Sequence, residues 1–308
     1  MAAERSKVSH LIAVLGAAVL WGTTGTVASF APEGSSPLLI GLATFGFGGL
    51  LLFVFSPRAI FRLVRRPGAA WPWLILGAAG IVAYPTTYYP SMSLIGVAAG
   101  NVVALGSGPL FAALLDRILR RKPLTARWVV ATGVAVIGIA LLSFGVTSHA
   151  GGAAPTTAAT VAGVSLGLVA GLGYAAYSVA GSAIIATGAS SAASMGAMFL
   201  VGSVVMVPWF FLAGPGPLAE PRGILILLYL SVVPMALAYL AFGYGLRMLS
   251  AATATTLTLC EPLVATLLAI VVVGERLSPT GWAGFALVAS GLVIVATAGV
   301  GRPVAAGS

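Results

Sequence analysis

One acidic residue, Glu261, lies inside a long apolar stretch of this sequence, directly before Pro262. It is the only acidic residue within a predicted apolar span, where a charge is costly unless it is protonated or partnered, so Glu261 is a candidate functional group. It could bind the ammonium group of a ligand or carry a proton in exchange. Alternatively, it stays neutral and hydrogen-bonds to backbone that Pro262 leaves free, starting with the carbonyl of Thr258 one turn earlier on the same face.

Proline also interrupts three other apolar stretches, at Pro85, Pro109 and Pro234. Each removes one backbone hydrogen bond and predicts a helix kink. Kinks at matching positions of two halves of a chain indicate a binding cavity, whereas unmatched prolines can simply shape packing in lipid. For the pair Pro109 and Pro262 we favour the cavity interpretation.

Aromatic side chains could form the walls of a cavity around Glu261, although each could instead pack in the core or anchor the chain at a membrane interface. These candidates are Trp21, Tyr84, Tyr88, Tyr174, Tyr177 and Tyr239. One cysteine and two histidines form no cluster with the spacing of metal ligands, so neither a metal nor another cofactor is predicted.

The composition is that of a membrane protein. Hydrophobic residues make up 59% of the chain and charged residues 7%, whereas soluble domains carry about 25% charged residues. The mean hydropathy of +1.09 leaves too little polar surface for a water-soluble globule. The net charge of +9 lies in short loops rather than on one continuous face, which argues against a nucleic-acid partner.

Ten apolar stretches are long enough to cross a bilayer as helices, which satisfy their own backbone in lipid. The predicted spans are Leu11–Phe30, Leu38–Phe55, Trp73–Tyr89, Leu94–Leu115, Trp128–Phe144, Val161–Ala183, Ala193–Phe211, Ile224–Tyr244, Ala252–Val273 and Trp282–Val300. The prediction is an all-α integral membrane protein of the inner (plasma) membrane. Its ten transmembrane helices divide into an N-terminal five-helix repeat (1–146), a linker (147–160) and a C-terminal five-helix repeat (161–308).

The basic residues predict the topology. With a cytoplasmic N-terminus, only Arg222 and Arg276 of the 15 Lys and Arg residues fall on the opposite side. By the positive-inside rule, both the N- and C-termini are therefore expected in the cytoplasm. Trp71, Trp73 and Trp128 lie where interfacial aromatic anchors are expected.

The second half of the sequence repeats the first at a constant offset. The segment PLFAALL, which starts at Pro109, aligns with PLVATLL, which starts at Pro262. Each half has an odd number of spans, so the two halves are expected to lie upside down relative to each other. Inverted repeats place a substrate site near the midplane, at the interface of the halves, and permit alternating access.

The same offset pairs Glu261 with Gly108. Asn101 precedes Gly108 by seven residues and lies on the same helix face. Asn101 and Glu261 should therefore both face the central cavity, from opposite halves, although Asn101 could instead bond to a neighbouring helix. A double GxxxG pattern over Gly163–Gly171 predicts close helix packing, within the monomer or at a dimer face.

At these residues the chain resembles the EamA-type transporters of the drug/metabolite transporter superfamily. The fragments that carry the resemblance span nearly the whole chain: Trp21-Gly22, Pro109, Pro234–Leu240, Glu261-Pro262 and Gly274–Leu277. The first half departs from the pattern, with Arg121-Lys122-Pro123 where a Gly-Glu-Arg turn is usual. The resemblance implies two inverted five-helix halves and export of small metabolites such as amino acids, or of lipophilic drugs. It also implies that the Glu-Pro pair has a partly structural role, because members of the family often carry this pair whatever their cargo.

Other functional classes fit less well. No nucleotide-binding GxxxxGK[ST] motif is present, which argues against a primary pump, and an enzyme would need at least two convergent catalytic groups. A carrier of sugar phosphates would need a buried Lys or Arg, and none is predicted in mid-membrane.

The prediction is a secondary, alternating-access exporter of small metabolites, with amino acids or related compounds as the leading cargo. The alternative is proton-coupled multidrug efflux of lipophilic or cationic compounds, and a channel or membrane scaffold is a remote alternative. The predicted partners are a small-molecule substrate and the lipid bilayer; the oligomeric state is not predicted. The predicted substrate-binding residues are Glu261, Asn101, Thr258, Trp21, Tyr84, Tyr88, Tyr177 and Tyr239, and the helix-kink residues are Pro85, Pro109, Pro234 and Pro262.

Overall fold

A computed structural model of the chain describes residues 2–121, 123–145, 156–273 and 276–299. These residues are almost entirely helical. The α-helices are α1 (Ala2–Ala28), α2 (Pro37–Phe55), α3 (Pro57–Arg65), α4 (Trp71–Ile95), α5 (Val97–Arg120), α6 (Ala126–Gly145), α7 (Thr157–Ala186), α8 (Ser191–Ala213), α9 (Pro221–Leu230), α10 (Ala238–Gly245), α11 (Ala251–Leu257), α12 (Cys260–Leu268) and α13 (Pro279–Gly299). Two π-helical segments, Ser231–Leu237 and Ala269–Val273, follow α9 and α12.

Ten stretches of the described chain are long and apolar enough to cross a membrane. Most are single helices. The eighth combines α9, the first π-helical segment and α10 over Pro221–Gly245. The ninth combines α11, α12 and most of the second π-helical segment over Ala251–Val272. The prediction of ten transmembrane helices is therefore confirmed.

Local signals decide where several helices begin. Ser190 and Ser250 cap α8 and α11, since each side chain accepts a hydrogen bond from a backbone N–H in the first turn. Proline stands in the first turn of α2, α4 and α9, where its missing N–H costs nothing. Gly96, with φ of 87°, separates α4 from α5, so the third span runs past the predicted end at Tyr89 to Ile95.

Helix contacts obey the repeat predicted from the sequence. Equivalent helices of the two halves pack on each other: α2 on α8, α5 on α11, and α6 on α13. The contact of α4 with α7 is matched by that of α10 with α1, and the contact of α5 with α7 by that of α12 with α1. Because each half has five spans, this pseudo-two-fold arrangement is that of two inverted repeats. The linker at 147–160 stays a prediction, since residues 146–155 lie outside the described chain.

The GxxxG pattern packs helices within the monomer. A Cβ atom added at Gly167 would lie 2.8 Å from Val103 Cγ1, and one at Gly171 would lie 2.7 Å from the Ala104 carbonyl oxygen. A side chain at either position would push α7 away from α5. The glycines therefore allow the close approach of the two helices that line the interface of the halves.

Two predictions about single residues are wrong. Trp128 is no interfacial anchor, because its ring is buried and its indole N–H donates to the Ala252 carbonyl (3.3 Å) and to Thr256 Oγ1 (3.1 Å). Asp116 lies inside the membrane-spanning part of α5, which continues beyond the predicted end at Leu115, and its side chain is buried. Glu261 is therefore not the only acidic residue within a span. The basic residue Arg120, one turn after Asp116, forms an ion pair with it and offsets part of the desolvation cost of the buried carboxyl group.

Candidate functional site

A cavity of about 210 Å³ lies between helices of both halves of the chain. Helices α1, α2, α4 and α5 contribute side chains from the first half, and α7, α10, α12 and the π-helical segment Ser231–Leu237 contribute them from the second. The lining reaches Ala28, Met92 and Val97, where α1 and α4 end and α5 begins. We call this the open end of the bundle, and the opposite end, where α5 and α7 end, the closed end.

Glu261 reaches the cavity because the ninth span is broken in its middle. Pro262 has no N–H, and its ring would clash with the carbonyl of Thr258 in a continuous α-helix. Instead, α11 ends at Leu257, the Glu261 N–H donates to the Thr258 carbonyl (2.9 Å), and α12 begins at Cys260. Glu261 thus stands in the first turn of α12 with its side chain on the cavity.

The Glu261 carboxyl group is available to a ligand. No described residue forms an ion pair or hydrogen bond with it. It is the only carboxyl group among the lining residues, and none of those residues is a Lys, Arg or His. An ammonium group that enters this cavity therefore meets one carboxyl group that can ionise beside it, in a medium that screens charge poorly.

Aromatic rings form the walls on both sides of Glu261. All six aromatic candidates predicted from the sequence line the cavity: Trp21, Tyr84, Tyr88, Tyr174, Tyr177 and Tyr239. The rings hold each other in place: Trp21 lies against Tyr239 at a centroid distance of 4.9 Å, and Tyr84 stacks on Tyr88 at 5.2 Å. The hydroxyl groups of Tyr177 and Tyr239 are hydrogen-bonded at 2.7 Å. The walls are thus apolar, with ring faces that carry partial negative charge and a few fixed hydroxyl groups.

Asn101 lines the same cavity from the first half of the chain, as the repeat predicts. It also contacts a neighbouring helix, because the Tyr88 hydroxyl of α4 donates a hydrogen bond to Asn101 Oδ1 of α5. Asn101 therefore does both of the things that the sequence left open: it faces the cavity, and it bonds to a neighbouring helix.

Three of the predicted residues lie outside the lining. Thr258 is buried behind the break in the ninth span, where its hydroxyl bonds with that of Tyr174. Pro85 is buried against Gly41 of α2. Pro109 is buried within α5, which continues past it as one helix, so only Pro262 of the matched pair lines the cavity, together with Pro234.

Several residues that line the cavity are not predicted from the sequence. They are Thr24, Thr44, Phe45, Tyr89, Met92 and Met235, among others. Each lies in an apolar stretch in which no helical repeat of polar residues distinguishes one face. Only the packing of the helices therefore determines which side chains face the cavity. Gly22 could have been selected beside Trp21: a Cβ atom there would lie 2.6 Å from Val264 Cβ and 3.0 Å from the Glu261 carbonyl oxygen. Gly22 therefore lets α1 approach the helix that carries the acid.

Polar contacts tie the helices together at the closed end. Arg120 of α5 donates to Ser182 Oγ of α7 (2.8 Å) and pairs with Asp116 (3.3 Å). Thr132 of α6 and Thr256 of α11 are hydrogen-bonded through their hydroxyl groups (3.1 Å). These bonds hold the first and second halves together below the cavity.

The sequence matches the EamA-like transporter family twice, over residues 8–144 and again over residues 161–297. It is 34% identical over 288 residues to the uncharacterized transporter YwfM of Bacillus subtilis, covering 92% of this chain and 93% of that protein. It is 26% identical over 294 residues, or 92% and 95% of the two chains, to the "Probable terminal-alkyne amino-acid exporter" of Streptantibioticus cattleyicolor.

A crystal structure with 21% sequence identity superimposes with a TM-score of 0.74 over 93% of this chain and 96% of the other, which shows the same fold. The two family matches begin and end at equivalent positions of the two halves. The family and the relatives named above are membrane transporters and not enzymes. This chain is a multi-pass protein of the plasma membrane and belongs to the EamA-like transporter family.

Proposed function

We propose that the protein is a secondary transporter that exports small amine-bearing metabolites, foremost amino acids or related compounds, across the plasma membrane. The observation that carries this proposal is the Glu261 carboxyl group, which has no partner among the described residues and lies on a cavity that both halves of the chain line. A site at the interface of inverted repeats is the site that alternating access exposes to each side in turn.

The chemistry of the lining favours an amine. Glu261 supplies one carboxyl group that can ionise beside an ammonium group, and the faces of Trp21 and the tyrosines attract a cation held above them. The lack of a Lys or Arg among the lining residues disfavours phosphates and other multiply charged anions. The related exporter, whose name states an amino-acid cargo, supports the same class of substrate.

The size of the cavity favours metabolites over drugs. Sites for drug-sized molecules enclose about 300–1,000 Å³. The cavity beside Glu261 is smaller, at about 210 Å³. A small amino acid fits such a volume, whereas a polycyclic drug would require the walls to separate.

We place both termini in the cytoplasm, on the distribution of the basic residues. In that orientation the open end of the bundle, with Ala28 and Val97, faces outward, and the Arg120–Asp116 pair at the closed end faces the cytoplasm. The structure then corresponds to an outward-open state. Its inverted counterpart would arise by rocking of the two halves about the cavity.

Proton-coupled efflux of organic cations is the second candidate. One carboxyl group that faces a cavity, with no partner in the part of the chain that the structure describes, can hold either a proton or a cationic ligand, which couples the two. Exchange with protons is compatible with either cargo, so the cargo must be measured separately from the coupling.

Transport into proteoliposomes tests the proposal. Purified protein is reconstituted, vesicles are loaded with one unlabelled amino acid at a time, and counterflow of the labelled compound is recorded, with a lipophilic cation in parallel. We expect amino-acid counterflow that is lost in Glu261→Gln and retained in Glu33→Gln, which removes an exposed carboxylate from the loop after α1. Counterflow of the lipophilic cation alone would replace the first candidate with the second. Equal rates for wild type and Glu261→Gln would refute both.

A further inference from the structure

The amide group of Asn101 is held in one orientation by Tyr88. The Tyr88 hydroxyl donates its hydrogen bond to Asn101 Oδ1 and not to the amide nitrogen. The Tyr88 ring is itself fixed, since it stacks on Tyr84 at an angle of 15° and meets Tyr89 edge to face at 5.3 Å. If the amide rotated by half a turn, the hydroxyl group would have to accept from the N–H group, and its own proton would then have no acceptor among the described residues, so the observed orientation is favoured.

This orientation determines what Asn101 offers to the cavity. An asparagine amide has an oxygen that accepts and an –NH₂ group that donates. With the oxygen bonded to Tyr88, the –NH₂ group is the remaining half, and no described residue accepts a hydrogen bond from it. Asn101 lines the cavity, so its donors are available to a ligand there.

Three hydroxyl groups of the lining are engaged within the protein: those of Tyr177 and Tyr239 bond to each other, and that of Tyr174 bonds to Thr258. The remaining lining hydroxyl groups can rotate and either donate or accept, whereas the bonded amide of Asn101 presents its donors in a fixed direction. The cavity has an acceptor contributed by the second half, at Glu261, and an oriented donor contributed by the first half, at Asn101. These two groups are complementary to the two ends of a zwitterion.

We propose that Tyr88 is a positioning residue that makes the site selective for α-amino acids over their amides and over simple amines. The ammonium group of the substrate faces Glu261, and its carboxylate accepts hydrogen bonds from the Asn101 –NH₂ group. Tyr88 does not touch the substrate in this role; it prevents the amide from presenting its oxygen, which would repel a carboxylate. This inference rests on the proposed function, because it assumes that an amine-bearing metabolite binds beside Glu261.

Binding of matched ligand pairs tests the inference. The full-length protein in detergent is titrated with each of the common L-amino acids and with the corresponding α-amide, and the dissociation constants are compared. For an amino acid that binds, we expect the wild type to prefer it over its amide by about tenfold or more, the value of one hydrogen bond to a charged group. Tyr88→Phe should reduce that ratio to about one, chiefly by weaker binding of the acid.

Two further variants keep the test independent of folding defects. Asn101→Asp has the same shape and replaces the donor by a carboxylate, so it should reverse the preference and favour the amide. Tyr229→Phe is the matched control, because it also removes a hydroxyl that bonds to another helix, at Thr23 (3.0 Å), away from the cavity lining. It should leave the ratio unchanged.

The possible results separate the two proposals. If the wild type binds no amino acid, the proposed function fails and the inference fails with it. If the wild type binds amino acids but does not distinguish them from their amides, or if Tyr88→Phe keeps the full preference, the proposed function stands and the role of Tyr88 is overturned.

Discussion

Trp21 and Tyr174 occupy equivalent positions in the two halves of the chain, and their rings meet edge to face with centroids 6.5 Å apart. Equivalent residues touch each other only near the axis that relates the halves. The cavity beside them is therefore at the centre of the inverted repeat. Around this axis the symmetry breaks: the Tyr174 hydroxyl bonds to Thr258, whereas the equivalent of Thr258 in the first half is Leu105, which has no polar group.

The size of the Trp21 ring should restrict the substrates that fit. Trp21→Ala removes a large wall of the cavity and its contact with Tyr239. We expect binding of a small amino acid to weaken about tenfold, from the loss of apolar contact and cation–π attraction, while larger aromatic amines bind more tightly. Titration of both ligand types checks this. Trp209→Ala, which removes an exposed ring from α8, is the control, and a similar loss there would show a general effect of tryptophan removal.

Close packing of α1 against α12 should depend on Gly22. A methyl group at this position would overlap Val264 and approach the Glu261 carbonyl oxygen. Gly22→Ala is therefore expected to destabilise the protein by about 1–3 kcal/mol and to reduce transport, because it moves the helix that carries the acid. Thermal unfolding in detergent and counterflow are the measurements. Gly16→Ala in the same helix meets nothing within 4 Å and should be neutral; equal effects of the two changes would contradict the packing argument.

The polar contacts at the closed end should bias the protein toward the conformation described above. The ion pair has no equivalent at the open end, since the repeat pairs Asp116 with Ala269 and Arg120 with Val273, which carry no charge. Arg120→Met removes the ion pair and the hydrogen bond to Ser182, and it leaves the Asp116 carboxyl group buried without its cation. We expect this change to open the closed end more often.

Labelling of a cysteine in the cavity measures that shift. Thr44→Cys, in a chain that also carries Cys260→Ala, places one thiol on the cavity lining. In oriented vesicles, a membrane-impermeant thiol reagent applied from the closed end should react several-fold faster when Arg120→Met is added. Arg117→Met removes an exposed arginine of the same helix and should not change the rate. An unchanged rate with Arg120→Met would mean that these contacts do not hold the closed end.

The sequence predicted those features that follow from composition and from the repeat. Hydropathy was sufficient for the ten spans, because a lipid-exposed helix must be apolar along its length. Glu261 was identifiable because an acid in such a span is exceptional, and Asn101 because the repeat placed it opposite Glu261. Both line one cavity in the structure.

The remaining features depend on helix ends and on rotation, which an apolar sequence does not specify. The predicted fourth span ends at Leu115 because charged residues favour a loop, whereas α5 continues to Arg120 and pairs the two charges internally. Pro109 and Pro262 are matched in sequence, yet only the ninth span is broken at its proline. Thr44 and Phe45 lie in a uniformly apolar helix, so no sequence pattern marks the face that meets the cavity.

Binding of an amino acid to Glu261→Gln is the decisive measurement for the proposed role of the acid. The variant keeps the shape of the side chain and cannot ionise. Calorimetric titration of the purified wild type and variant with the same amino acid, at one pH, separates binding from any coupling to protons. We predict saturable binding to the wild type and a loss of affinity of about tenfold or more in Glu261→Gln, with Glu33→Gln indistinguishable from wild type. Equal affinity in a folded Glu261→Gln protein would contradict the role of Glu261 in substrate binding, because the substrate would then bind without the acid.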